Sequence, residues 1–138
     1  MSRRDVYHNT VKQALIQEGW TITHDQYTFQ SEPELSTDIG AEKIIAAEKQ
    51  HDKIVVEIKS FLNVSQVTDL EKAMGQYILY KRLLKRQEPD RKLYLAVPTH
   101  AFEGIFSQQV GLIAIEELDI KLIVFSVSGE EKLRWKIP

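Results

Sequence analysis

A mixed β-sheet flanked by helices is the fold class this sequence predicts, and three observations lead to it. IIAAEK (44–49) and KIVVEIKSF (53–61) flank QHD as the arms of a β-hairpin flank their loop. KLYLAVP (92–98) and KLIVFSV (121–127) are short apolar runs of the kind found in strands buried on both faces. Stretches with apolar residues at three- and four-residue spacing separate these strands. The element order α-β-β-β-α-β-α-β-β sets a hairpin beside strands joined by helices, which makes the class α/β.

Taken in order, 4–19 reads as a helix, with Tyr7, Val11, Ala14 and Leu15 on one stripe, Glu18 falling at the same spacing, and Gly19 as its stop. Residues 20–23 form a short strand, and 24–37 is polar and irregular, interrupted by Pro33. The segment 44–49 is also a fair helix former, but the matched run after it favours a strand. From Ser65, a good N-cap, a long helix reaches about Gln87 on the stripe Val67, Leu70, Met74, Tyr77, Ile78 and Leu84. Pro89 and Asp90 end it. Residues 101–118 are expected to be helical, in two pieces around Gly111, and 132–137 alternate as an edge strand after the turn SGEE.

At 138 residues, with 43% apolar and 28% charged residues, the chain is expected to form one soluble domain. It contains no cysteine, which excludes disulfides, thiolate nucleophiles and Cys-based zinc sites. No apolar run approaches the roughly 18–20 residues that span a bilayer. The start MSRRDVYHNTVKQ lacks the apolar stretch of a signal peptide, so a cytoplasmic protein is expected. A net charge of −2 excludes a generally basic coat protein for nucleic acid, while leaving room for a local basic stripe.

The chemistry concentrates in IVVEIKSF. Alternate side chains of a strand share a face, so Val55, Glu57 and Lys59 point one way and Ile54, Val56 and Ile58 the other. Two readings compete: an ion pair on a solvated face, which is common and weak, or an acid and a cation held together for catalysis. Two carboxylates and a lysine are the minimal kit for metal-assisted phosphodiester hydrolysis. Mg²⁺ prefers one or two carboxylates plus water, and it lowers the pKa of the attacking water. A lysine orients that water or stabilises developing charge. Asp38 in STDIGAE is the obvious second carboxylate, and the Ile58 carbonyl is a further oxygen donor.

Asp38, an intervening segment and then Glu57-Ile58-Lys59 resembles the PD-(D/E)xK nuclease superfamily. Gln76, in AMGQYILY, resembles the glutamine at that place in some resolvase-like members. Over nearly the whole chain, STDIGAEKIIAAEKQHDKIVVEIKSF, AMGQYILY, YLAVP and IKLIVF with a following Trp look like the XisH family, named for control of excision of the fdxN DNA element. The resemblance implies a restriction-endonuclease-like fold and a role in programmed DNA rearrangement with an XisI-type partner protein. It implies Asp38 and Glu57 as ligands of Mg²⁺ or Mn²⁺, and Lys59 and Gln76 as catalytic residues. A catalytically silent factor that binds DNA or XisI is the competing expectation. The chain departs from the superfamily pattern at Thr37, which stands where a proline precedes the first acid.

Hairpin geometry bears on Asp38. With Lys49 opposite Ile54, Ala46 lies opposite Glu57 and Asp38 falls eight positions beyond, about 27 Å away by strand rise. A shared ion then requires a bend or bulge near Gly40, or else Glu42 or Glu48 as the second acid, Glu48 being diagonal to Glu57 in that register. Lys81, Arg82, Lys85 and Arg86 form a basic stripe at the end of the long helix, extended by Arg91 and Lys92. It reads either as cations favoured at a helix C-terminus or as a DNA-backbone contact. His8, His24, His51 and His100 show no metal-ligand spacing, although His8 and Asp5 sit on the first helix, where some nucleases of this fold place an auxiliary residue. A homo-oligomer is compatible with all of this.

Overall fold

The structure is a computed structural model that describes residues 3–33 and 44–137. Its elements run α1 (Arg3–Gln17), β1 (Thr21–Asp25), β2 (Ile44–Lys49), β3 (Asp52–Ile58), α2 (Gln66–Gln87), β4 (Arg91–Pro98) and α3 (Thr99–Glu103). A 3₁₀ turn (Ile105–Ser107), α4 (Gln109–Glu117), β5 (Leu122–Phe125) and β6 (Arg134–Lys136) complete the chain. The six strands lie in one open sheet in sequence order. The β1–β2, β2–β3 and β5–β6 pairs are antiparallel, while β3–β4 and β4–β5 are parallel. This is the mixed α/β sheet with flanking helices expected from the sequence.

Strand alternation divides the core into two layers. Ile45, Ala47, Ile54, Val56, Ile58, Tyr94, Ala96 and Ile123 pack with Tyr7, Val11 and Leu15 of α1. Ile44, Ala46, Val55, Leu93, Leu95 and Val124 pack with Leu70, Ala73, Met74, Tyr77 and Leu84 of α2. Because β3 and β4 are covered on both faces, their near-continuous apolar runs are a requirement of burial. Glu18, which shares the spacing of the apolar stripe of α1, is a polar tie between elements. Its carboxylate accepts from Leu133 N at 3.1 Å and Trp135 Nε1 at 3.3 Å, pinning β6 to α1. Trp135 in turn stacks on Trp20 at 5.6 Å.

Two sequence expectations need correction. The helical region after β4 breaks at Gly104 and Gln108, not at Gly111. Gly111 lies inside α4, where a Cβ would overlap the Ile105 carbonyl and come within 2.6 Å of Phe106 Cα, so glycine permits close packing there. The hairpin register also differs. Lys49 pairs with Asp52 across a two-residue turn in which Gln50 takes φ 56°, so Ile44 and not Ala46 faces Glu57. The shift is two residues, an even number, so every side chain keeps its face while its partner changes.

Candidate functional site

Glu57 is the carboxylate the fold treats most unusually. It lies near the C-terminal end of β3, 2% exposed, in a strand whose residues Ile54 to Ile58 are all buried. The reading of Glu57 as half of a solvated surface pair is therefore wrong, because β3 is an interior strand with a core layer on each face. By alternation Glu57 points with Val55 into the α2 layer. Its charge is felt there by two tyrosines of α2, Tyr77 and Tyr80. Burial, with Glu57 as a further cause, raises the Tyr80 hydroxyl above its ordinary range. Tyr77 is pushed up to about 12, first by burial and then by Asp119 and Glu57 working against the hydrogen bond from Lys121. Its hydroxyl donates to Leu93 O at 2.9 Å and accepts from Lys121 N at 3.2 Å, so Tyr77 is a structural tie between α2 and the strands.

Lys59 follows one residue past β3, half-buried, with its backbone N–H still bonded to Ala96 O at 2.9 Å. That bond prolongs the strand geometry and keeps Lys59 on the Glu57 side. Two residues later Phe61 adopts φ 52°, a left-handed conformation rare for a bulky residue, and turns the chain away from the sheet. The Phe61 carbonyl meets His100 Nε2 at 3.0 Å, and its ring packs edge-on against Phe106 at 5.5 Å. Gln76 is half-buried on α2, and its buried Oε1 finds no hydrogen-bond partner among the described residues. Glu57 and Lys59 thus stand at the carboxyl end of β3, the end at which open α/β sheets bind ligands, and Gln76 is carried by α2, the helix that packs on the same face of the sheet.

Asp38 and Glu42 lie outside the described residues. Glu48 is drawn away from the site: it pairs with Lys53 across the hairpin and its Oε1 meets Arg91 Nη2 at 3.2 Å. Among the described residues no three of His, Asp and Glu cluster as a metal site. The donors at hand, the Glu57 carboxylate, the partnerless Gln76 amide oxygen and backbone carbonyls, are all hard oxygens. They match Mg²⁺ or Mn²⁺ in type and would need a second acid and water to complete a shell.

The basic stripe divides. Arg82, Lys85 and Arg86 are exposed on α2, and Lys81 reaches Asp119 at 3.4 Å. Arg91 does not extend the stripe. It is 7% exposed, with Nε on Glu88 at 2.9 Å, Nη1 on Ile54 O at 3.2 Å and its plane 5.7 Å from the Tyr27 ring. His8 sits 2.9 Å from Asp25 on β1, in the α1 layer on the face opposite Glu57, and so is no auxiliary to it.

Sequence reasoning missed the strap at 27–30. Tyr27 N donates to Ile44 O at 2.7 Å, Tyr27 OH donates to Glu88 at 2.8 Å, and Phe29 stacks on Tyr80 at 4.7 Å. Gln87 clasps the strap, its Oε1 accepting from Gln30 N at 2.7 Å and its Nε2 donating to Thr28 O at 3.0 Å. The alternation of Tyr27 and Phe29 inside a polar stretch was the available signal.

Comparison with known proteins follows the same lines. The family model XisH protein matches residues 1–133. A solved XisH family protein from Nostoc punctiforme is 37% identical, with TM-score 0.86, covering 96% of this chain and 99% of its own. A solved fdxN element excision controlling factor protein from Anabaena variabilis is 40% identical, with TM-score 0.85, covering 95% of this chain and 98% of its own. No curated protein matches. The match to the family model over nearly the whole length, and the two solved relatives, make this chain a member of the XisH family.

Proposed function

We propose that this chain is a nuclease-like DNA-processing protein of the restriction-endonuclease-like, PD-(D/E)xK kind, acting in excision of a DNA element. The observation that carries the reading is the buried Glu57 at the carboxyl end of a central parallel strand, with Lys59 two positions on and, on the helix packed over that face, the Gln76 oxygen that has no partner among the described residues. Taking a carboxylate out of water is costly, and buried acids at the carboxyl ends of sheet strands are candidates for function. In this reading Glu57 and Asp38 hold Mg²⁺ or Mn²⁺, which supplies Lewis-acid polarisation of the phosphate and a more acidic water. Lys59 sets its ammonium against the negative charge that grows on the phosphoryl oxygens. Gln76 accepts a hydrogen bond from the attacking water and so fixes its direction. Lys81, Arg82, Lys85 and Arg86 contact the DNA backbone and set position without reading sequence.

The test is cleavage of duplex, branched and single-stranded DNA with Mg²⁺ or Mn²⁺, in the presence and absence of an XisI-type partner. Cleavage lost on Glu57→Ala or Lys59→Ala, with folding retained, supports the enzyme. No cleavage by the parent on any substrate gives way to a second reading, a catalytically silent factor that binds DNA or XisI. That reading is favoured by the description of the Anabaena variabilis relative as a controlling factor.

A further inference from the structure

The Gln30–Pro33 end of the strap and one flank of α2 enclose a groove of about 540 Å³, within the range of ligand clefts. Its helical wall is Leu79, Leu83, Arg86 and Gln87. Its opposite wall starts at a residue tied to α2, because Gln87 bonds the backbone of Gln30 and of Thr28 just before it. Gln76, Leu79, Leu83 and Arg86 follow one another at three- and four-residue spacing, so the groove lies on the flank of α2 that carries Gln76. From Gln76 to Arg86 is ten positions, about 15 Å along the helix.

The groove combines an apolar wall with a cationic end. Leu79 is 47% exposed, and the exposed Arg86 is the one cation among the lining residues. Glu32 is the one acid among the lining residues. Proteins hold single strands with cations along the backbone and flat, usually aromatic, surfaces for the bases; here Leu79 and Leu83 offer the apolar surface. We propose that this groove takes a short stretch of single-stranded nucleic acid, with Arg86 on a backbone phosphate and bases against Leu79 and Leu83. The inference rests on the nuclease-like reading and deepens it: the strand runs along α2 toward Gln76 and Glu57.

Fluorescence anisotropy of a short fluorescein-labelled single-stranded oligonucleotide, measured in EDTA over a salt series, tests this. Arg86→Ala weakens binding about tenfold and flattens the slope of log K against log salt by roughly 0.7, the value for one phosphate contact on a single strand. Leu79→Glu, a change at an exposed position, also weakens binding, and thermal melts confirm that both variants fold. Lys132→Ala, an exposed cation before β6, leaves binding unchanged. No binding by the parent, parent-like binding by either groove variant, or equal affinity for duplex of the same sequence overturns the proposal. Cleavage with Mg²⁺ is scored separately: its loss in Glu57→Ala alongside unchanged binding in Arg86→Ala removes the groove and leaves the catalytic reading standing.

Discussion

Glu57 and Lys59 are two positions apart in a run of Ile and Val, and strand periodicity alone puts them on one face. What periodicity does not convey is which face meets water, since that depends on a helix further along the chain. With α2 overhead, Glu57 is 2% exposed, a position where an amide of the same shape removes the charge and keeps the packing. On the proposed nuclease reading, Glu57→Gln is expected to lower cleavage at least about a hundredfold while the melting temperature stays close to that of the parent. Measuring both on one preparation checks the pairing of effects. Tyr27 and Arg91 were harder to read, because their partners lie far away in sequence: Tyr27 meets Glu88 across 61 positions and Arg91 meets Glu48 across 43. Burial and the hydrogen bond to Glu88 push Tyr27 from 10.0 up to about 12. A hydroxyl whose folded pKa is raised contributes stability that is complete below about pH 10 and is lost as pH rises toward 12. Tyr27→Phe should cost about 1 kcal/mol near neutral pH. The gap from the parent should narrow between pH 10 and 12, as denaturant titrations across that range would show.

At the scale of elements, α2 was the most legible, because its boundaries are written locally. Ser65 caps it, the side chain accepting from Thr68 N at 3.2 Å, and Ser65→Ala is expected to lower stability by about 1 kcal/mol in urea unfolding. The region after β4 was less legible. Its glycine at 111 looks like a helix breaker in sequence but serves contact in space, where the backbone of Ile105 and Phe106 leaves no room for a Cβ. Gly111→Ala should thus destabilise by about 1–3 kcal/mol, despite alanine's higher helix propensity, and chemical denaturation reads the sign directly. The β2–β3 hairpin shows why register escapes sequence. QHDK is compatible with several loop lengths, and the two-residue turn with Gln50 at φ 56° moved each partner by two without changing any face. That shift brings Ile44 opposite Glu57 and sends Glu48 to Arg91, which removes Glu48 as the second acid.

For the molecule as a whole, a mixed sheet between helices follows from patterns visible in the chain: a hairpin, two doubly buried strands, and helices between them; the strand order comes from the structure alone. The strap at 27–30 was missed because its one signal, Tyr27 and Phe29 two positions apart, is too short to stand out, while its partners Gln87 and Tyr80 of α2 lie far along the chain. Net charge is a mild −2, yet Arg82, Lys85 and Arg86 gather along one helix, so association with a polyanion is expected to be steeply salt-dependent while the protein as a whole stays near neutral. Glu57 and Lys59 stand at the carboxyl end of the parallel strand β3, and on that placement the functional account depends. Mn²⁺ binding followed by electron paramagnetic resonance tests it most directly, with the parent compared against Glu57→Gln and Glu48→Gln. The account predicts a Mn²⁺ site in the parent that is lost in Glu57→Gln and kept in Glu48→Gln; a parent that binds no Mn²⁺, or a Glu57→Gln variant that binds it as the parent does, would contradict it.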